Sequence, residues 1–284
     1  MKLNLIFLSS MITLCSCVNS QKTTIQNEEV SDTIQIDTMS YPDVIGNIPT
    51  PEGYVREEVQ DSSWAHYLRN LPLKPEGTPV RTYSGYESSW TRCAYGVIDM
   101  EIGDEDLQQC ADAVIRLRAE YLYKHKKYQD IHFKFTNGFN CDYLTYASGG
   151  RVNVKEGKYT NWYRAKEGWD YSYETFREYL DLVFMYAGTY SLSKELKKAD
   201  IYDIHVGDVF IQGGFPGHAM IVVDVAQDTI NNDKAFLVAQ SYIPAQDIHI
   251  VSSFDSPWFF VKDFEVDVYL RSWCFQLNDL MTFD

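Results

Sequence analysis

Hydrophobic and polar positions divide the chain into an apolar front end, a polar stretch and a patterned body. From Leu3 to Leu14 only Asn4, Ser9, Ser10 and Thr13 interrupt the apolar run. That run is too short for a permanent bilayer-spanning helix and has the length of an export-signal core. Residues 17–48 are polar and weakly patterned and read as a flexible tether, with order starting near Ile48-Pro49-Thr50-Pro51. Residues 49–284 read as one globular domain.

Within that domain, alternation at period two predicts a strand over Tyr54–Val59, and Asp61-Ser62-Ser63 caps a short helix from Trp64 to Leu71. Further strands are expected at Arg81–Tyr83, Cys93–Ile102 and Ile131–Phe135. Leu107, Ala111, Val114, Ile115 and Leu122 recur at helical spacing, which predicts a helix from Asp104 to about Lys126. Acids crowd its start and Lys124-His125-Lys126-Lys127 its end, as the helix dipole favours. Cys110 lies on or near the apolar face of this helix and reads as core. Residues 137–172 show no clear period. A helix follows over Tyr173–Tyr186, with Phe176, Leu180, Val183 and Phe184 inward. Three strand-like runs come next, Val206–Ile211, Gly217–Asp224 and Ala235–Ser241, with a turn at Asn231-Asn232-Asp233. The expected fold class is α+β.

Composition narrows the function classes. The chain has 284 residues, 25 basic against 40 acidic side chains, and a net charge of −15. No Lys/Arg cluster offsets that charge, so the chain would repel a phosphate backbone and a nucleic-acid role is excluded. An apolar fraction of 45% excludes a disordered polymer. The single long apolar run, at the N-terminus, excludes a polytopic membrane protein. Eleven of the 27 Tyr and Trp residues fall between Tyr143 and Tyr190. Exposed, they would stack on sugars or grip a peptide; buried, they would pack a long loop.

The front end finishes in Leu14-Cys15-Ser16-Cys17, which resembles a bacterial lipobox. The resemblance implies a lipoprotein signal peptide over residues 1–16 and lipidation of Cys17. The expected location is exported and membrane-anchored, facing the periplasm or cell surface, since several acyl chains hold a protein firmly.

Three segments carry a second resemblance: Asp106-Leu107-Gln108-Gln109-Cys110-Ala111-Asp112-Ala113-Val114, Gly207 through Ala219, and Ala239 through His249. They resemble the family of exported bacterial proteins catalogued as domain of unknown function 4846, over roughly residues 48–280. That family carries no assigned activity. Residues 173–242 are also similar to the papain-like core of NlpC/P60 and CHAP amidases: a helix, a strand led by Gly-Asp, a strand led by Gly-His-Ala, and a strand bearing an amide. In that core a Cys at a helix N-terminus is the nucleophile, the His opening the next strand its base, and a polar residue on the following strand the group that orients the His. The match puts His218 at the base and Gln240 at the orienting position. Phe176 falls where the Cys should stand. Cys141, reaching His218 through space, is the candidate thiol, against a reading as a buried or disulfide-bonded Cys.

The expected architecture is therefore a papain-like, NlpC/P60-like helix-plus-antiparallel-sheet core with an N-terminal α/β elaboration. The expected function is a non-catalytic module that binds a cell-wall glycan, peptide or partner protein. The alternative is a cysteine amidase or peptidase acting on peptidoglycan or another amide. Asp247 and His249 share one strand face, either as a second acid–base pair or as exposed alternation. The remaining histidines have no metal-ligand spacing, no phosphate-binding Gly loop is present, and no cofactor is implied. With Cys17 reserved for lipid, Cys93, Cys110, Cys141 and Cys274 allow three complete pairings.

Overall fold

The computed structural model describes residues 41–254 and 256–283. The chain starts with β1 (Tyr54–Arg56) and α1 (Trp64–Arg69), which Ser63 caps by accepting the His66 amide. β2 (Ala94–Val97) and the long α2 (Cys110–Lys124) follow. Two small hairpins come next, β3 (His132–Lys134) with β4 (Asn140–Asp142) and β5 (Gly150–Lys155) with β6 (Tyr159–Arg164). Between them lies α3 (Tyr143–Ala147). The helices α4 (Tyr173–Tyr186) and α5 (Thr189–Leu192) precede β7 (Lys197–Lys198), β8 (Val209–Gln212), β9 (His218–Asp228) and β10 (Lys234–Gln240). The chain closes with β11 (His249–Val251), β12 (Phe259–Phe260), β13 (Asp267–Tyr269), β14 (Cys274–Gln276) and β15 (Leu280–Thr282).

Nine strands form one antiparallel sheet, with the path β2-β11-β10-β9-β8-β15-β7, β1 beside β9 and β12 beside β10. The α+β class holds. β9 is the spine: β8 lies along its first half and β1 along its second, while β10 covers the other edge. Nine successive residues of β9, from His218 to Ala226, are buried. A strand covered on both faces does not alternate, which is why Ala219-Met220-Ile221-Val222-Val223 is continuously apolar. Phe210, Phe236 and Phe275 pack ring to ring, with centroids 5.5 and 5.7 Å apart. The helices α1 and α2 pack on β9. Asp224, wholly buried in β9, bridges Arg69 of α1 (2.5 Å) and Arg56 of β1 (2.6 Å), so one carboxylate ties three elements together.

Three sequence expectations change. Ile45 and Ile48 are fully buried, so the end of the stretch read as tether belongs to the core. The region 137–172 contains a regular hairpin, β5–β6, paired residue by residue from Gly150↔Arg164 to Lys155↔Tyr159. Its turn places Glu156 and Gly157 both at positive φ (56° and 65°), the backbone that a hairpin turn of this hand requires at its two central residues. Finally, α2 begins at Cys110, six residues later than its acidic lead-in suggested. The Asp112 carboxylate accepts the Gln109 amide at 3.0 Å and closes the helix start there. Asp106 instead stays in the preceding loop, accepting the Ala245 amide at 2.6 Å. Among the described residues, no helix is long and apolar enough to cross a membrane.

Candidate active site

His218 is the first residue of β9, and the glycine before it explains its position. A Cβ at Gly217 would lie 2.4 Å from Thr189 Oγ1 and 2.7 Å from the carbonyl oxygens of Gln212 and Gly214. Only glycine lets the loop press this closely on α5 before the strand begins. The imidazole is 2% exposed, stacked against Trp273 at 5.1 Å and tilted against Tyr242 at 5.0 Å. Burial lowers its pKa to about 4; the bond to Gln240 opposes the shift and the neighbouring His249 adds to it.

His218 Nε2 lies 2.8 Å from Gln240 Oε1. Gln240 stands directly opposite His249 in the β10–β11 ladder, so the two share a sheet face. Its Nε2 is 3.2 Å from His249 Nε2, and Ser272 donates its hydroxyl to Oε1 at 2.7 Å. His249 Nδ1 meets the Asp247 carbonyl at 3.0 Å. The ring is fully buried, and burial lowers its pKa to about 4 as well. Four polar groups from three adjacent strands and one loop thus form a closed array. Among the described residues, His218 Nδ1 has no hydrogen-bond partner.

A cavity of about 480 Å³ opens beside this ring, bounded by the start of α2, the α4–α5 junction, the loop before β9, Tyr242, Ile243 and Trp273. Cys110 lies on its wall, as the first residue of α2. The backbone amides of Ala111, Ala219 and Cys110 itself act to lower the thiol pKa, and Ala219 is the residue next to His218. Cys110 is 5% exposed, and burial together with Asp112 raises its thiol pKa to about 11. A thiol, an imidazole with a free nitrogen, and an amide that holds the ring are therefore gathered at one helix N-terminus.

The model of one protein family matches residues 44–282. The chain belongs to the family described as a domain of unknown function (4846). No curated protein and no solved structure matches it. The region it shares with the family runs from the turn at Ile45–Asn47 to β15, and so contains the cavity lined by Cys110 and His218 as well as Gln240 and His249 behind it.

Of the residues singled out in the sequence, the structure brings His218 and Gln240 together. Cys141 lies elsewhere, fully buried in β4 opposite Phe133, its carbonyl accepting from Tyr179 and its thiol pKa pushed up by burial. Phe176 is also remote from His218, stacked on Tyr123 at 4.2 Å inside an aromatic cluster. Cys17 lies outside the described residues. Asp247 and His249 do not pair through their side chains: the Asp247 carboxylate takes Lys74 and the Arg81 amide, and His249 is buried rather than exposed. All four cysteines among the described residues are free thiols. No group of three His, Cys, Asp or Glu side chains among the described residues could hold a metal.

Cys110 is the functional candidate that sequence reasoning missed. The signal was the Gln109-Cys110-Ala111-Asp112 start: a capping pair three residues apart brackets a helix whose first residue is the Cys.

Proposed function

We propose that the protein is an exported, membrane-anchored cysteine hydrolase of amides, with Cys110 as nucleophile, His218 as general base and acid, and Gln240 as the residue that holds the imidazole. The observation that carries this reading is the seat of Cys110. It heads α2, the amide of Ala219, next to His218, acts to lower its thiol pKa, and Cys110 and His218 line one cavity. A helix with an N-terminal thiol, a strand opened by His and a strand bearing an amide follow the order of a papain-like core. Here the helix is α2, and residues 125–208 are inserted before the strands.

The raised thiol and lowered imidazole pKa values describe a neutral pair at rest. His218 Nδ1 then takes the thiol proton as the sulfur bonds to the substrate carbonyl carbon. The first-turn amides of α2 offer positive charge to the oxygen that becomes negative. The imidazolium returns the proton to the leaving amine as the C–N bond breaks, which leaves a thioester. Water, losing its proton to Nδ1, splits the thioester, and the thiol is restored when that proton returns to sulfur. The rim carries exposed Phe215, Ile243, Met185 and Asp106, and the buried Asp112 is on the wall. This lining suits a peptide rather than a polyanion, and a cell-wall stem peptide is what an anchored, exported hydrolase would meet.

The test compares Cys110→Ala, His218→Ala and Cys141→Ala on peptidoglycan digests, with free amine as the readout and iodoacetamide labelling mapped by mass spectrometry. Turnover should vanish in the first two variants and persist in the third. Full activity in Cys110→Ala would end the thiol mechanism. Lipidation is tested separately: Cys17→Ser should move the protein from the membrane to the soluble fraction.

A second reading, binding without hydrolysis, draws on the exposed Trp169 ring stacked on Tyr171 (5.6 Å, 14°), which stacks in turn on Tyr128 (4.7 Å, 14°). Such a flat ladder suits a sugar face. It predicts that wall glycans quench tryptophan fluorescence in the intact protein and not in Trp169→Ala.

A further inference from the structure

We infer that His249 is a positioning residue of this site: with the Asp247 carbonyl it sets, through Gln240, the tautomer that leaves Nδ1 of His218 free to accept a proton. The inference rests on the hydrolase reading for its purpose, and on hydrogen-bond direction alone for its content.

A backbone carbonyl can only accept, so the 3.0 Å contact between His249 Nδ1 and the Asp247 oxygen requires the proton on Nδ1. His249 is fully buried, no carboxylate among the described residues bonds its ring, and burial, which outweighs the nearby Asp247 charge, keeps it uncharged at neutral pH. A neutral imidazole carries one N–H, so Nε2 must accept. The group 3.2 Å away is the Gln240 side chain, whose amide nitrogen must therefore point at His249 and whose oxygen must point the other way. That oxygen receives the Ser272 hydroxyl at 2.7 Å and faces His218 Nε2 at 2.8 Å. His218 must then donate from Nε2, and Nδ1 keeps its lone pair.

The direction of every link follows from the one at the Asp247 carbonyl. Turning the Gln240 amide over would set its NH₂ against Ser272 and His218 and its oxygen against His249 Nε2. His249 would then need its proton on Nε2, and two lone pairs would oppose each other at Asp247. Ser272 does not choose between the two orientations, because a hydroxyl donates or accepts. His249 does choose. Gln240 and His249 are direct cross-strand partners, so the ladder itself holds the choice in place.

The experiment uses the full chain labelled with ¹⁵N-histidine and long-range ¹H–¹⁵N correlation at pH 7, where the two neutral tautomers have distinct patterns. His218 should appear as Nε2–H and His249 as Nδ1–H, opposite tautomers in one protein. In His249→Phe, with folding checked by circular dichroism, His218 should show both forms. Iodoacetamide alkylation of Cys110 should then slow in proportion to the fraction lost from Nε2–H. Ser272→Ala should leave the wild-type tautomers in place. His218 found as Nδ1–H in the wild type, or unchanged in His249→Phe, would overturn the inference. If His249→Phe does not fold, the wild-type spectrum still decides, since a shared tautomer in the two histidines contradicts it. An unreactive Cys110 with the expected opposite tautomers would instead defeat the hydrolase reading and leave the relay standing.

Discussion

Gln240 and His249 face each other across β10 and β11, the amide of one 3.2 Å from Nε2 of the other. Gln240 reaches a second histidine, His218, at 2.8 Å. Two imidazoles are thus sealed in the fold in uncharged form, both with pKa values lowered to about 4 by burial.

That burial makes folding pH-dependent. Between the ordinary histidine pKa near 6.5 and the folded value near 4, the unfolded chain binds protons that the folded chain refuses. The histidine contribution to stability is therefore full above about pH 6.5 and is lost as pH falls towards 4, by at most about 3 kcal/mol for each ring. The buried Asp112 carboxyl acts with the opposite sign, since its raised pKa favours the folded state as pH falls. Comparison with His249→Gln separates the two. Urea midpoints at pH 7 and pH 4.5 should differ less in the variant than in the wild type, and equal differences would refute the histidine account.

Trp273 stacks on the His218 ring at 5.1 Å and excludes water from it. Trp273→Ala should let solvent in and raise the His218 pKa from about 4 towards 6.5, as followed by proton NMR of the ring. A value that stays put would mean that Tyr242 and Phe275 provide the seal.

Gly217 has no room for a Cβ, because two of the three atoms it would meet are backbone oxygens. Gly217→Ala should displace the start of β9, costing about 1–3 kcal/mol of stability. It should also slow alkylation of Cys110 by withdrawing His218. A fully stable variant with native thiol reactivity would show that the loop relaxes freely.

Asp224→Ala would leave Arg56 and Arg69 buried or half-buried without their shared carboxylate. Breaking a buried pair on one side costs about 3–5 kcal/mol. Chemical denaturation should show a loss of that size, and a loss below about 1 kcal/mol would mean that the arginines find water instead.

The helix Tyr173–Tyr186 and its inward residues Phe176, Leu180, Val183 and Phe184 were legible in the chain, because helical periodicity is a local property. The runs that became β8, β9 and β10 were legible for the same reason, although their ends shifted by a few residues. The β5–β6 hairpin was not, because its strands are half-exposed and aromatic residues interrupt the apolar alternation. The site was half-legible. His218 and Gln240 could be named from their strand positions. Cys110 was hidden by a boundary: read six residues into a helix it is one more apolar-face residue, whereas at the first position it heads the helix dipole.

The amino-acid sequence alone determined the acidic charge, the α+β class, the order of the major elements and two of the three residues assigned to the candidate site. Each of these depends on composition or on patterns a few residues long. Only the tertiary structure decided that α2, and not α4, brings its first turn to His218, and that His249 stands behind Gln240. Both are contacts between segments far apart in the chain. They exist because β9 is covered by α2 and flanked by β10, and because β11 pairs with β10 in one register. Local periodicity carries no information about which helix covers which strand. Packing around the buried β9 does.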